Sequence, residues 1–98
     1  MNLLLAFHHE VPGELRSAHD WYEQSRSGHG DDFAAAVDRV FEAISANPEV
    51  YGIAHLDIRE GLLARFPYVV YYRVLRNRIR VVAVCHTSRD PSVWQTRL

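Results

Sequence analysis

Histidine and arginine are the residue types in this chain with the most chemistry to offer: there are six His and eleven Arg, with no Lys. Six His invite a metal site, but the spacing does not build one. His8 and His9 are adjacent and on a strand would point to opposite faces, while His19, His29, His55 and His86 form no short pair. No metal is expected. Arg without Lys favours planar, two-pronged recognition of carboxylate or phosphate. High-GC genomes produce the same bias without functional cause, and composition does not separate the two. Gly28 and Gly30 lack the spacing of a phosphate-binding loop, so no nucleotide cofactor is expected. The single Cys85 has no partner for an intramolecular disulfide.

These residues must be positioned by a small fold. The 98 residues suit one domain, 1–98, and a 48% hydrophobic content is ordinary for a globular chain. A chain of this size buries only about 60 to 65% of its unfolded surface, so a bound partner matters to its stability. Met1 to Phe7 is short, uncharged and runs into His8, His9 and Glu10, unlike a signal peptide. No apolar run approaches the roughly 20 residues of a membrane span. The cytoplasm is therefore the expected location. Charge is unevenly spread: three Arg face nine acids from Met1 to His55, and eight Arg face three acids from Leu56 to Leu98.

The pattern predicts a first strand over Asn2 to His8 and a first helix from Pro12 to about Arg26, with Val11, Leu15, Ala18 and Tyr22 on one face. After Ser27-Gly28-His29-Gly30, Asp31 or Asp32 is expected to cap a second helix with Phe33, Val37, Val40, Phe41 and Ile44 buried, ended by Asn47-Pro48. The short link makes the helices antiparallel neighbours. A loop follows, and then strands over Leu56 to Phe66 (with a bulge at Gly61), Tyr68 to Leu75 and Arg78 to His86 around an Arg76-Asn77 turn.

That turn sets a register in which Val74, Tyr72, Val70 and Tyr68 oppose Ile79, Val81, Ala83 and Cys85 on the helix side. Val69, Tyr71 and Arg73 then share the other side with Arg80, Val82, Val84 and His86. Only the tail from Thr87 to Leu98 is left to cover it, so this side is read as an open apolar binding face edged by charge. Trp94 is expected to pack the tail on the domain, Trp21 to join the helical core, and Cys85 to be an inert core residue.

The run Arg65-Phe66-Pro67-Tyr68-Val69-Val70-Tyr71-Tyr72, then Ile79-Arg80-Val81-Val82-Ala83-Val84-Cys85-His86, then Arg89-Asp90-Pro91 and Trp94, resembles the RelE/ParE superfamily of type II toxins in order and spacing. Trp21-Tyr22, Gly28, Phe33 and Asn47-Pro48 fit it too. The resemblance implies an α+β fold, a helical hairpin packed on a three- or four-stranded, mainly antiparallel sheet. It also implies an antitoxin partner and a hetero-oligomer with it. RelE-like members cut mRNA on the ribosome, whereas ParE-like members inhibit DNA gyrase, and fold does not decide between them.

Cleaving RNA at a 2′-hydroxyl needs a base, cations for the phosphorane charge and an acid. His86, Arg80 and Arg65 are the catalytic candidates, with Arg89 beside them. By resemblance, however, a nuclease carries an Arg where this chain has Val69, lysines on the preceding strand, and a Tyr or His near the end where it has Trp94. Those departures favour the ParE-like, gyrase-directed reading over the nuclease, and a degenerate toxin that keeps only antitoxin binding is a third. The surface expected to meet target or antitoxin comprises Arg73, Tyr71, Val69, Val82, Val84, Arg89 and Trp94. His86 has a plainer reading as a strand-end ring bonded to nearby backbone, Arg89 as a solvated charge in a turn with Asp90 and Pro91. Arg73 and Arg80 oppose each other and need an acid between them, from a partner or from Glu60. Toxin status predicts a short reading frame abutting this gene, with a DNA-binding first half and an acidic amphipathic second half; inspecting the neighbouring genome checks it.

Overall fold

A computed structural model describes residues 2–98. Strand β1 (Leu4–Phe7) leads into helix α1 (Val11–Ser25), whose first turn holds Pro12 at a position where the missing N–H costs nothing. Val11, Ala18 and Tyr22 are buried along one stripe of α1 and Leu15 is half-buried, as the spacing predicts. Helix α2 (His29–Ala46) follows at once, because Gly28 takes the left-handed conformation, φ 87°, that a tight reversal requires. Asp31 and Asp32 do not cap α2; they lie in its first turn. The cap comes from α1, where the Glu23 carboxylate accepts hydrogen bonds from the N–H groups of Gly28 (3.0 Å) and Gly30 (3.1 Å). A carboxylate also complements the positive end of the helix dipole.

The hairpin is drawn close at Gly30, where a methyl group would stand 2.7 Å from the carbonyl oxygen of His19. The ring of His19 reaches Asp20 of α1 (3.1 Å) and Asp31 of α2 (3.3 Å). Only the imidazolium donates from both ring nitrogens.

Beyond Asn47, which ends α2, the chain forms β2 (Ile53–His55), β3 (Ile58–Leu62), β4 (Tyr68–Val74), β5 (Arg78–His86) and a short helix α3 (Ser92–Gln95). The sheet has five strands in the order β1-β5-β4-β3-β2. All neighbours are antiparallel except β1, which runs parallel to β5 with Leu5 beside Ile79. The fifth strand is β2, three exposed residues that carry no alternation. It pairs back on β3 through a turn at Leu56, φ 53°. Gly61 carries no bulge and pairs regularly with Val70; a side chain there would meet Val40 at 2.9 Å and Tyr51 at 3.1 Å. The helices cover one side of the sheet over a core that includes Phe33, Val37, Ile44, Val70, Tyr72 and Val81. The buried Tyr72 hydroxyl donates to the Pro48 carbonyl (2.8 Å), so it is satisfied without water. Trp21 lies outside this core and is 64% exposed.

Gly61→Ala should lower unfolding free energy by about 1–3 kcal/mol by overpacking, whereas Gly13→Ala, with open space around it, should be neutral or add up to about 1 kcal/mol in the helix; urea denaturation reads both. The pKa of His19 is raised, first by its hydrogen bond to Asp20 and then by that to Asp31. Its contribution is therefore complete below its unfolded value near 6.5 and lost as pH rises through the raised folded value. His8, lowered chiefly by burial, contributes with the opposite sign. The difference in melting temperature between the wild type and His19→Gln should thus shrink as pH rises, a trend that scanning calorimetry across buffers will show.

Candidate functional site

The β4–β5 hairpin starts in the expected register, with Val74 beside Ile79 and Tyr72 beside Val81. It then departs from it. Tyr71 pairs with Ala83, so Val82 is an extra residue in β5, and Val70 and Tyr68 pair with Val84 and His86. A bulge turns two successive side chains to one side and shifts the alternation beyond it. Val84 therefore joins the helix-side core, and Ala83 and Cys85 move to the other side. His86 follows Val84: its ring meets Tyr68 edge-on at 5.3 Å and lines a cleft beside α1. Val84 and His86 are thus corrected to the helix side, and Cys85 to the opposite core.

That opposite side is not an open face. The tail folds back through α3 and sets Trp94 flat on Tyr71, ring centroids 4.4 Å apart, with His55 edge-on at 5.9 Å. Trp94 is 4% exposed and heads a second core with Ile58, Val82, Ala83 and Cys85. Arg97 then anchors the tail to both α1 and β5. It donates to the Glu14 carboxylate at 2.7 Å and to the Val82 carbonyl at 3.1 Å, while Glu14 accepts from the Val84 N–H at 3.0 Å. Both charges are largely shielded from water, and the hydrogen bond to Glu14 raises the pKa of Arg97 against the opposing effect of burial. Neither Glu14 nor Arg97 carries a signal in the sequence, since they lie far apart in the chain and belong to no motif.

Of the expected surface residues, Val69, Val82, Val84 and Trp94 are buried, Tyr71 and Arg73 half-buried, and Arg89 exposed. Arg73 and Arg80 do pair across the hairpin. The neighbouring acid is Asp57 rather than Glu60: Arg73 grips it with two hydrogen bonds, 2.7 and 3.1 Å, which pulls the Asp57 carboxyl below its usual range. Cys85 is buried and its thiol is pushed up to about 11, chiefly by desolvation, so it stays protonated.

The proposed catalytic trio does not assemble. His86 and Arg80 are six residues apart on one strand, about 20 Å at about 3.3 Å per residue, and on opposite sides of it. Arg65 is exposed on the β3–β4 connection in a left-handed conformation, φ 67°, and does not line the cleft that holds His86 and Arg89. His86 is further restrained by Ser88, whose backbone N–H donates to Nδ1 at 3.0 Å with its hydroxyl at 2.8 Å. A peptide N–H only donates, so Nδ1 holds a lone pair and the neutral ring carries its proton on Nε2. His86 is thereby a hydrogen-bond donor toward the cleft rather than a base. Among the described residues no three His, Cys, Asp or Glu side chains converge to hold a metal.

Arg97→Met should strand the Glu14 carboxylate and the Val82 carbonyl, costing about 1–3 kcal/mol; it should also red-shift the Trp94 emission as the tail loosens, which steady-state fluorescence in a Trp21→Phe background will resolve.

The fold and this geometry can be set beside known proteins. In a comparison of solved structures, a chain of the "Chromosomal ParDE TA system from P. aeruginosa" superposes with a TM-score of 0.64, covering 86% of this chain and 95% of that one at 17% identity. At that identity the likeness speaks for the fold. A search of curated proteins returned no match. The family profile described as the ParE toxin of the type II toxin-antitoxin system parDE matches residues 5–91, a span that takes in the helical hairpin, the sheet and the Arg89-Asp90-Pro91 turn but stops short of Trp94. The chain therefore belongs to the ParE toxin family of type II toxin–antitoxin systems, within the RelE/ParE superfamily.

Proposed function

We propose that the chain acts as a single-domain, cytoplasmic toxin that inhibits DNA gyrase when released from its antitoxin, and that it is not a ribosome-dependent nuclease. The observation that carries this reading is the separation of the proton-transfer and charge-stabilising candidates. His86 presents a proton where a nuclease needs a base, and Arg80 stands about 20 Å away along β5. A toxin that works by capturing a protein target needs no such constellation, only a surface.

The family supplies the expectation of an antitoxin. Tyr71 and Arg73, with Arg80 beside them, can be met directly on the tail side and Arg89 at the cleft on the other, whereas Val69, Val82 and Trp94 serve by shaping the tail-side face and are reached only if the tail moves, and Val84 lies in the helix-side core. An acidic segment complements that arginine row. Among the described residues no helix is long and apolar enough to cross a membrane.

The test is expression without antitoxin, followed by assays on the purified chain. Growth arrest with DNA-damage induction ahead of any stop in translation, and loss of gyrase supercoiling in vitro, are the expected results. His86→Ala and Arg80→Ala should leave that toxicity within about threefold of wild type, the span of a surface change worth under about 0.6 kcal/mol. If either substitution abolishes cutting of ribosome-bound mRNA in a folded protein, the nuclease reading stands instead. Absence of any arrest would leave an antitoxin-binding module.

A further inference from the structure

We propose that the cleft between α1 and the end of β5 is a binding site for a small phosphate monoester carrying a flat ring, of the nucleoside monophosphate class. The cleft exists because β1 stops at Phe7, opposite Val81, while β5 runs on to His86. Its volume is about 730 Å3, within the range of small-ligand pockets. The vacant edge of β5 is not offered to another strand, since Arg97 takes the Val82 carbonyl and Glu14 takes the Val84 N–H. What remains accessible is side-chain chemistry.

Four donors border this space. Tyr22 is only 7% exposed, yet neither its hydroxyl nor that of Tyr68 has a hydrogen-bond partner among the described residues, and neither is sealed from solvent. The two rings pack edge to face with centroids 6.0 Å apart. Burial raises both phenols above their ordinary value, so both keep their protons and donate. His86 contributes the Nε2–H that its bond to Ser88 leaves free, and Arg89 a guanidinium with no ion-pair partner among the described residues. Of the two acids at the cleft, Glu14 is neutralised by Arg97, and Glu10 is the one an anion must keep away from, at the end of the cleft beside His9.

With the guanidinium offering two N–H groups the donors number about five, more than the roughly four lone-pair sites of a carboxylate, and they suit the three terminal oxygens of a phosphate monoester. The flat ring is called for by Trp21, which stands 64% exposed at the same cleft, held edge-on against Tyr22 at 5.0 Å. An exposed indole fixed on its neighbour is a stacking platform, and base–aromatic stacking is sequence-tolerant.

Isothermal titration of the purified full-length chain with AMP, adenosine, inorganic phosphate and N-acetyltryptophan tests this. AMP should bind and displace phosphate, adenosine and N-acetyltryptophan should bind at least about tenfold more weakly, and Arg89→Ala should weaken AMP about tenfold or more. Tyr22→Phe should weaken AMP and phosphate alike with the near-ultraviolet circular dichroism unchanged, while Trp21→Ala should weaken AMP and spare phosphate. No heat from AMP or phosphate up to about 10 mM, AMP binding indifferent to Arg89→Ala and Tyr22→Phe, or tighter binding of N-acetyltryptophan would each overturn the assignment. Gyrase inhibition by the Arg89→Ala protein, measured alongside, shows whether the cleft and the toxic surface are separate.

Discussion

Val82 is the one residue within the β4–β5 ladder, between Ile79 and His86, with no partner on β4, and the division of the protein into two cores rests on it. A regular hairpin would send every second side chain of β5 to the helices. With one residue inserted, Ile79, Val81 and Val84 face the helices, while Val82, Ala83 and Cys85 form a floor on the other side. Five consecutive buried residues, Val81 to Cys85, are what this arrangement demands. An apolar floor left in water would be a liability for solubility and an invitation to aggregate.

The tail answers that demand. Trp94 brings a large flat surface whose stacking on Tyr71 adds to simple burial, and its placement turns the apolar floor into a second packed layer. The ion pair of Arg97 and Glu14 then settles the backbone groups that β1 leaves unpaired where it ends. A shielded pair of this kind adds little net stability over an apolar substitute but loses much if one partner goes. Its effect is to specify a position: α1, β5 and the tail meet at one carboxylate. In a chain of 98 residues, where the margin between folded and unfolded states is narrow, such a junction counts for more than its energy.

The same junction separates two surfaces. On one side lies the arginine row of Arg73 and Arg80, with Arg73 fastened to Asp57. On the other lies the cleft of Tyr22, Tyr68, His86 and Arg89. The bulge is why His86 belongs to the second and Arg80 to the first. The bulge sets the two on opposite sides of the sheet, and the length of β5 keeps them about 20 Å apart.

Much of this was legible in advance. The stripe of Val11, Ala18 and Tyr22, the turn at Gly28, the stop at Asn47-Pro48 and the hairpin at Arg76-Asn77 are local events, governed by side-chain spacing, backbone freedom and caps within a few residues. The run from Arg65 to Trp94 was enough to suggest the family. Where the structure departs from the local pattern, the cause is packing between elements or an ambiguity in the pattern itself. Glu23 rather than Asp31 or Asp32 caps α2 because the hairpin brings it there. Gly61 serves close packing against Val40 and Tyr51 rather than a bulge. The bulge at Val82 has no mark of its own, since a run of Val and Ala fits either side of a sheet. Periodicity and turn chemistry determine which segments become helix or strand, because those depend on near neighbours. Which face a residue shows, what covers it, and which charges meet were decided only when the tail closed over the sheet, because burial and hydrogen-bond satisfaction are properties of the whole packed chain.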